Sequence, residues 1–140
     1  MTCKIDYKRQ QCRTNVLVTV GCIDVLDFSF VSGREMSISV YRNQQLVSRI
    51  TDEKHYQFDS PYLYSFSDPI TIRPGDEIRT QCVYDSTSRD NFTIAGSGYV
   101  QEMCFGFLTF YPTNAITKGS PSCVSWKSLP VCLAEFGRFY

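Results

Sequence analysis

Residues 74–112 read PGDEIRTQCVYDSTSRDNFTIAGSGYVQEMCFGFLTFYP. Pro74-Gly75 is a turn signal, and the run from Glu77 to Tyr84 after it has the length and composition of a strand. Asp85 to Asn91 is wholly polar and reads as a surface loop. Asn91 to Ile94 and Met103 to Tyr111 are two further strands, the second dense in phenylalanine. No helical period runs through the segment. Short strands parted by Gly, Pro and Asn turns decide the class.

The flanking sequence repeats this pattern. Asn15 to Phe30 is β-branched and partly alternating, with Gly21 marking a bulge or strand break. Met36 to Tyr41 alternates apolar and polar residues over one strand length. Arg42-Asn43-Gln44-Gln45 is a polar turn, and Leu46 to Ile50 returns as the second arm of a hairpin. Thr51 to Asp68, rich in tyrosine and serine, predicts a long connection with a short extended piece at Tyr56-Gln57-Phe58. Ile70 to Ile72 is a strand. The tail from Thr113 to Cys123 is loop-like, and Leu129 to Phe136 holds one helical turn at most. There is no internal repeat. The expected fold is all-β, with residues 1–140 forming one domain built as an antiparallel β-sandwich.

Composition excludes several classes of function. The 14 basic and 14 acidic residues cancel, so no global field draws the chain to nucleic acid or to an anionic membrane. Lys4, Lys8, Arg9 and Arg13 form a small basic stretch that reads as a solvated edge. No hydrophobic run has the length of a membrane span or the form of a signal peptide. Seven cysteines lie at positions 3, 12, 22, 82, 104, 123 and 132, with no C-x-x-C pair and a single histidine. That distribution favours disulfides over a zinc site, and hence an oxidising compartment. Asn91-Phe92-Thr93 is a glycosylation sequon at the end of the polar loop, which points the same way. A secreted or lumenal protein is expected.

The 74–112 segment resembles the second core domain of the type II copper, ascorbate-dependent monooxygenases, the family of dopamine beta-hydroxylase and peptidylglycine alpha-hydroxylating monooxygenase. The shared features are Pro74-Gly75-Asp76, Cys82-x-Tyr84, Arg89, the Gly96/Gly98 pair, Glu102-Met103-Cys104 and Phe110-Tyr111-Pro112. The resemblance covers about residues 12–123 and leaves a tail from 124 to 140. It implies a jelly-roll-like sandwich stapled by disulfides. It also implies a Cys82–Cys104 bond, and the pairs Cys3–Cys123 and Cys12–Cys132 with the crossed pairing left open. Cys22 is then left over, as a buried thiol or a bond to another chain.

The family binds copper on this domain through two histidines of an H-T-H-x-x-G-R motif and one methionine. The corresponding stretch here is Phe28-Ser29-Phe30-Val31-Ser32-Gly33-Arg34, so Phe28 and Phe30 stand where the histidines would be and Met103 alone is kept. A thioether without imidazole is a weak copper ligand. The expectation is therefore no copper and no cofactor, with Met103 filling a core gap beside Phe28 and Phe30. The positions that hold a peptide carboxylate in the amidating branch correspond to Leu26, Phe105 and Phe107, none of which can pair with one. His55 lies in a polar stretch with no nucleophile elbow, and no carboxylate pair converges on a cleft.

No catalytic residue is expected. The chain is read as a non-catalytic structural, assembly or recognition module that meets protein partners, either its own copies or a larger extracellular assembly. Two alternatives stand beside this reading. One is a part of a copper monooxygenase completed by another domain or chain. The other is a pseudoenzyme holding a small ligand in an open cavity between Phe28, Phe30, Met103 and Phe107.

Overall fold

The computed structural model describes residues 6–13, 19–29, 32–85, 87–90, 101–112 and 115, with 6–13 and Val20 described by backbone alone. Seven strands are present among them: β1 (Asp6–Arg13), β2 (Val20–Ser29), β3 (Gly33–Arg42), β4 (Gln45–Glu53), β5 (Leu63–Ile72), β6 (Glu77–Tyr84) and β7 (Cys104–Tyr111). They form two sheets, ordered β1-β6-β3-β4 and β5-β2-β7, and every pairing is antiparallel. The all-β sandwich read from the sequence is the fold.

The turns follow from local chemistry. The β3–β4 hairpin closes through Asn43 and Gln44, both at positive φ (51° and 66°). A two-residue turn of this hand matches the right-handed twist of its strands. Pro74-Gly75 joins β5 to β6, with Gly75 at φ 84°. Asp76 locks this turn. Its buried carboxylate accepts the Arg73 N–H at 2.9 Å and both the Nε and Nη2 protons of Arg42 at 2.7 Å. The Arg42 guanidinium holds the Asp76 carboxyl below its ordinary range.

Three strand assignments differ from the sequence reading. Residues 6–13, expected as a solvated edge, form β1 against β6. Residues 63–68, expected within a connection, begin β5. Here Tyr64 and Phe66 turn inward while Leu63, Ser65 and Ser67 face out, and the serines hide the alternation. Residues 56–58 form no strand. Tyr56 instead donates its N–H to the Arg34 carbonyl at 2.9 Å and is buried. The bulge expected at Gly21 falls on Ile23, where the register with β7 slips by one residue. Gly21 is needed for close approach, since a Cβ there would stand 2.9 Å from both Pro69 and the Tyr111 ring. Pro69 lies where the β2–β5 register shifts, a position that tolerates a missing N–H.

Two clusters fill the interior. One gathers Cys22, Val25, Ile38, Val40, Ile50, Ile72 and Ala115. The other gathers Met36, Tyr56, Cys82 and Tyr84, with Phe58 and Cys104 against it. Cys82 on β6 and Cys104 on β7 are disulfide-bonded, so the bond ties one sheet to the other. Cys22 is a buried free thiol, pushed up to about 11 by burial and then by Asp24. Of the other implied disulfides, Cys12 is described only by its backbone in β1. Cys3, Cys123 and Cys132 lie outside the described residues, as does the strand expected at 91–94.

Asp27 opposes the fold. It is 1% exposed and sits between the sheets, and neither carboxylate oxygen has a hydrogen-bond partner among the described residues. Burial raises its pKa to about 6; Thr51 offsets this in part and Glu53 adds to it. An unpaired carboxylate in such a place is more favourable protonated.

Two stability measurements follow. Replacing both Cys82 and Cys104 by serine releases a constraint spanning 22 residues and is expected to cost about 3 kcal/mol. It would appear as a lower urea midpoint, and an unchanged midpoint would show that the bond contributes nothing. For Asp27 the folded pKa lies above the unfolded value. The folded state therefore takes up the proton first, and stability rises as pH falls from 7 through 6 toward 4. The span is at most about 3 kcal/mol for a shift of this size. Thermal unfolding at pH 7.5 and 5.5 should show the wild type more stable at the lower pH. Asp27→Asn should be more stable than wild type at pH 7.5, with a shallower slope. A wild type that loses stability on acidification over this range contradicts the assignment.

Candidate functional site

Strand β2 is the middle strand of the three-stranded sheet, and its alternation decides where the inferred site residues point. Val25, Asp27 and Ser29 are buried and face the opposite sheet. Leu26 and Phe28 between them face outward. Their cross-strand neighbours confirm the face, because residues directly paired across an antiparallel ladder point the same way. Phe28 pairs with Phe105, and Leu26 with both Phe107 and Leu63. Phe107 is 54% exposed and Leu63 65%.

This corrects the expectation that Phe28 and Met103 fill the core. The buried methionine of the interior is Met36. Phe28 lies half-buried on the outside of the sheet, beside Phe105 and Phe107, whose ring centroids are 5.9 Å apart. Met103 is half-buried immediately before β7, and its carbonyl accepts the Tyr84 hydroxyl at 2.8 Å. Phe30 and Asn91 lie outside the described residues. The positions inferred for metal and for substrate thus come together in part. Leu26, Phe28, Phe105 and Phe107 share one outer face, and every one of them is a hydrocarbon side chain.

The inner side of the same end is polar. The Tyr56 hydroxyl accepts the Ser29 N–H at 2.8 Å and donates to the Ser29 carbonyl at 3.1 Å. The Tyr64 hydroxyl donates to Glu53 at 3.2 Å, and burial followed by that carboxylate pushes its pKa up to about 12. Glu102, next to Met103, is also buried. It accepts the Ser32 hydroxyl, while Arg89 stands 3.8 Å away; burial is the larger influence and raises its pKa. Asp27, Ser29 and Glu102 all retain buried oxygens without partners among the described residues. Sequence reasoning passed over Asp27. Counting in twos from Val25 would have turned it inward.

Phe28, where the family likeness would put a ligand histidine, offers no lone pair. His55 is exposed in the segment after β4, where its backbone N–H donates to Glu53. Among the described residues no group of three His, Cys, Asp or Glu side chains is placed to hold a metal ion. Two clefts lie on the described surface, neither of them lined by Phe28. One is lined by Gly33, Arg34, Tyr56, Gln57, Phe58 and Asp59. The other is lined by residues of β3, β4 and β6 together with Lys54. No helix among the described residues is long and apolar enough to cross a membrane.

Comparison with known proteins agrees with this architecture. The family described as copper type II ascorbate-dependent monooxygenase, C-terminal domain, matches residues 6–129. Tyramine beta-hydroxylase of Caenorhabditis briggsae is 30% identical over 86 residues, covering 61% of this chain and 15% of the relative. DBH-like monooxygenase protein 2 of mouse is 28% identical over 108 residues, covering 77% of this chain and 17% of the relative. Human dopamine beta-hydroxylase is 24% identical over 86 residues, covering 61% and 14%. The chain therefore corresponds to a small part of each of these proteins, less than a fifth of their length. With the match extending over all seven described strands, the chain belongs to the copper type II ascorbate-dependent monooxygenase family and corresponds to that family's C-terminal domain.

Proposed function

We propose that this domain is a non-catalytic member of its family and acts as a structural or recognition module through the outer face of the β5-β2-β7 sheet. The observation that carries this reading is Phe28. It occupies a ligand-histidine position and lies in a wholly apolar set with Leu26, Phe105 and Phe107. A copper site needs imidazole nitrogens, and a site for a charged or polar substrate needs hydrogen-bonding groups. This set of four supplies neither. It supplies aromatic area, the usual material of a protein contact.

The inter-sheet disulfide, the cysteine content and the sequon at Asn91 support a place in the secretory pathway or outside the cell, where such bonds persist. Protein partners are the expected ligands.

Copper binding tests the reading. The purified chain, loaded with Cu(I) under ascorbate and dialysed, is expected to hold well under one copper per chain by mass spectrometry of the metal. The double variant Phe28→His, Phe30→His supplies two imidazoles where the family likeness puts them and is expected to bind copper at least about tenfold more tightly than the parent, since imidazole suits copper. Stoichiometric copper in the parent would sink the non-catalytic reading and favour a monooxygenase part completed by another domain or chain.

A further inference from the structure

We propose that the Phe28 end of the β5-β2-β7 outer face is the contact surface of a symmetric homodimer, in which two copies of this chain pack sheet against sheet. The proposal deepens the reading above and rests on it in taking this face to be free of copper.

The first argument is the reversal of polarity along β2. At the Cys22 end the strand is ordinary, with Cys22 and Val25 fully buried and Asp24 turned outward, opposite Ser65 and Thr109. At the Ser29 end the pattern inverts. Asp27 and Ser29 are 1% exposed, while Leu26 and Phe28 face out. A register slip does not account for this, because the pairing with β7 runs unbroken from Asp24 to Ser29. A sheet face open to water is expected to alternate the other way. An apolar exterior over a polar interior is the pattern of a face that is covered.

The second argument is extent. Leu63, Phe107 and Phe105 are exposed at 65%, 54% and 37%, and they flank Leu26 and Phe28 on the central strand. Together these side chains present on the order of 400 Å² of exposed area, a patch of the size that marks contact sites on monomers. Two such faces bury roughly 800 Å², the size of a weak and reversible contact.

The third argument is charge and shape. Leu26, Phe28, Leu63, Ser65, Phe105, Phe107 and Thr109 carry no charge, so nothing on the patch selects an acidic or a basic partner. Asp24 lies beyond the apolar end. Two copies can therefore meet with no like-charge contact. The central strand is the lower one, since Leu26 and Phe28 are half-buried between the Phe105/Phe107 ridge and Leu63. A two-fold axis sets the ridge of each copy into the trough of the other, which is the self-complementarity an isologous contact requires.

Sedimentation velocity on the copper-free chain from about 1 to 200 µM tests this, an ordinary range for a homodimer of modest area. The expected result is a reversible monomer–dimer equilibrium. Phe107→Asp should weaken it by about thirtyfold or more, as for a central aromatic anchor, with the melting temperature close to that of the parent. Val47→Asp, at a residue 47% exposed on β4 of the other sheet, should leave it unchanged. A copper-free chain that stays monomeric throughout overturns the homodimer while leaving the non-catalytic reading standing. A dimer that survives Phe107→Asp, or that Val47→Asp destroys, overturns this face as the contact. A stoichiometrically copper-loaded monomer overturns both readings.

Discussion

The register of β2 between β5 and β7 is the constraint on which the rest of this structure depends. Both edges of β2 are hydrogen-bonded, and its side chains alternate strictly from Asp24 to Ser29. A slip of one residue would exchange Asp27 and Ser29 for Leu26 and Phe28. Several contacts prevent it. Tyr56 grips both backbone groups of Ser29 through one hydroxyl, and is itself tied to Arg34 by its N–H. Gly106, opposite Asp27, admits Ile38 of the other sheet so closely that a Cβ at 106 would stand 2.4 Å from Ile38 Cδ1. The disulfide then fixes Cys104, the partner of Ser29, to the far sheet.

That register has an energetic consequence. It commits the interior to Asp27, a group whose charge is poorly compensated where it lies, and it commits the exterior to phenylalanine and leucine. Each choice opposes stability for an isolated domain in water. The opposition is offset elsewhere by two apolar clusters, by the Arg42–Asp76 pair at the β5–β6 turn, and by the stack of Arg79 on Tyr41 at 3.9 Å. A fold that keeps an unfavourable arrangement on both faces of one strand end is under a constraint other than its own stability. Covering the outer face supplies one, since it returns the hydrophobic free energy that exposure withholds.

How much of this could be read from the chain varied with the local signal. The β3–β4 hairpin, the Pro74-Gly75 turn and strands β6 and β7 carry their turn residues and alternation openly, and they stand where the sequence put them. The Cys82–Cys104 pair followed from the family likeness. Strand β5 was obscured because serine alternates with tyrosine and phenylalanine, a pattern that resembles a polar connection until the partner strand is known. Strand β1 was obscured by its charges, which say nothing of backbone pairing with β6. The inferred site was legible in identity and illegible in direction. The replacement of histidine by Phe28 was visible in the letters. Its outward aim was not, because phenylalanine suggests a core, and only pairing with the exposed Phe105 shows which side of the sheet it occupies.

That direction changes what the replacement means. Had Phe28 faced inward, it would have been ordinary core packing. Facing outward, phenylalanine gains nothing from the interior and adds apolar area to water. Loss of copper alone would be met as well by serine, lysine or any other soluble residue at Phe28. It also places no demand on Leu26, Phe105 and Phe107, which share two rungs of the β2–β7 ladder with Phe28 and match it in character. Four hydrocarbon side chains on one face require a reason common to the face rather than to any single ligand position. The proposed contact, which excludes water from the whole end of the sheet, supplies such a reason, and under it Phe28 is one part of a contact surface.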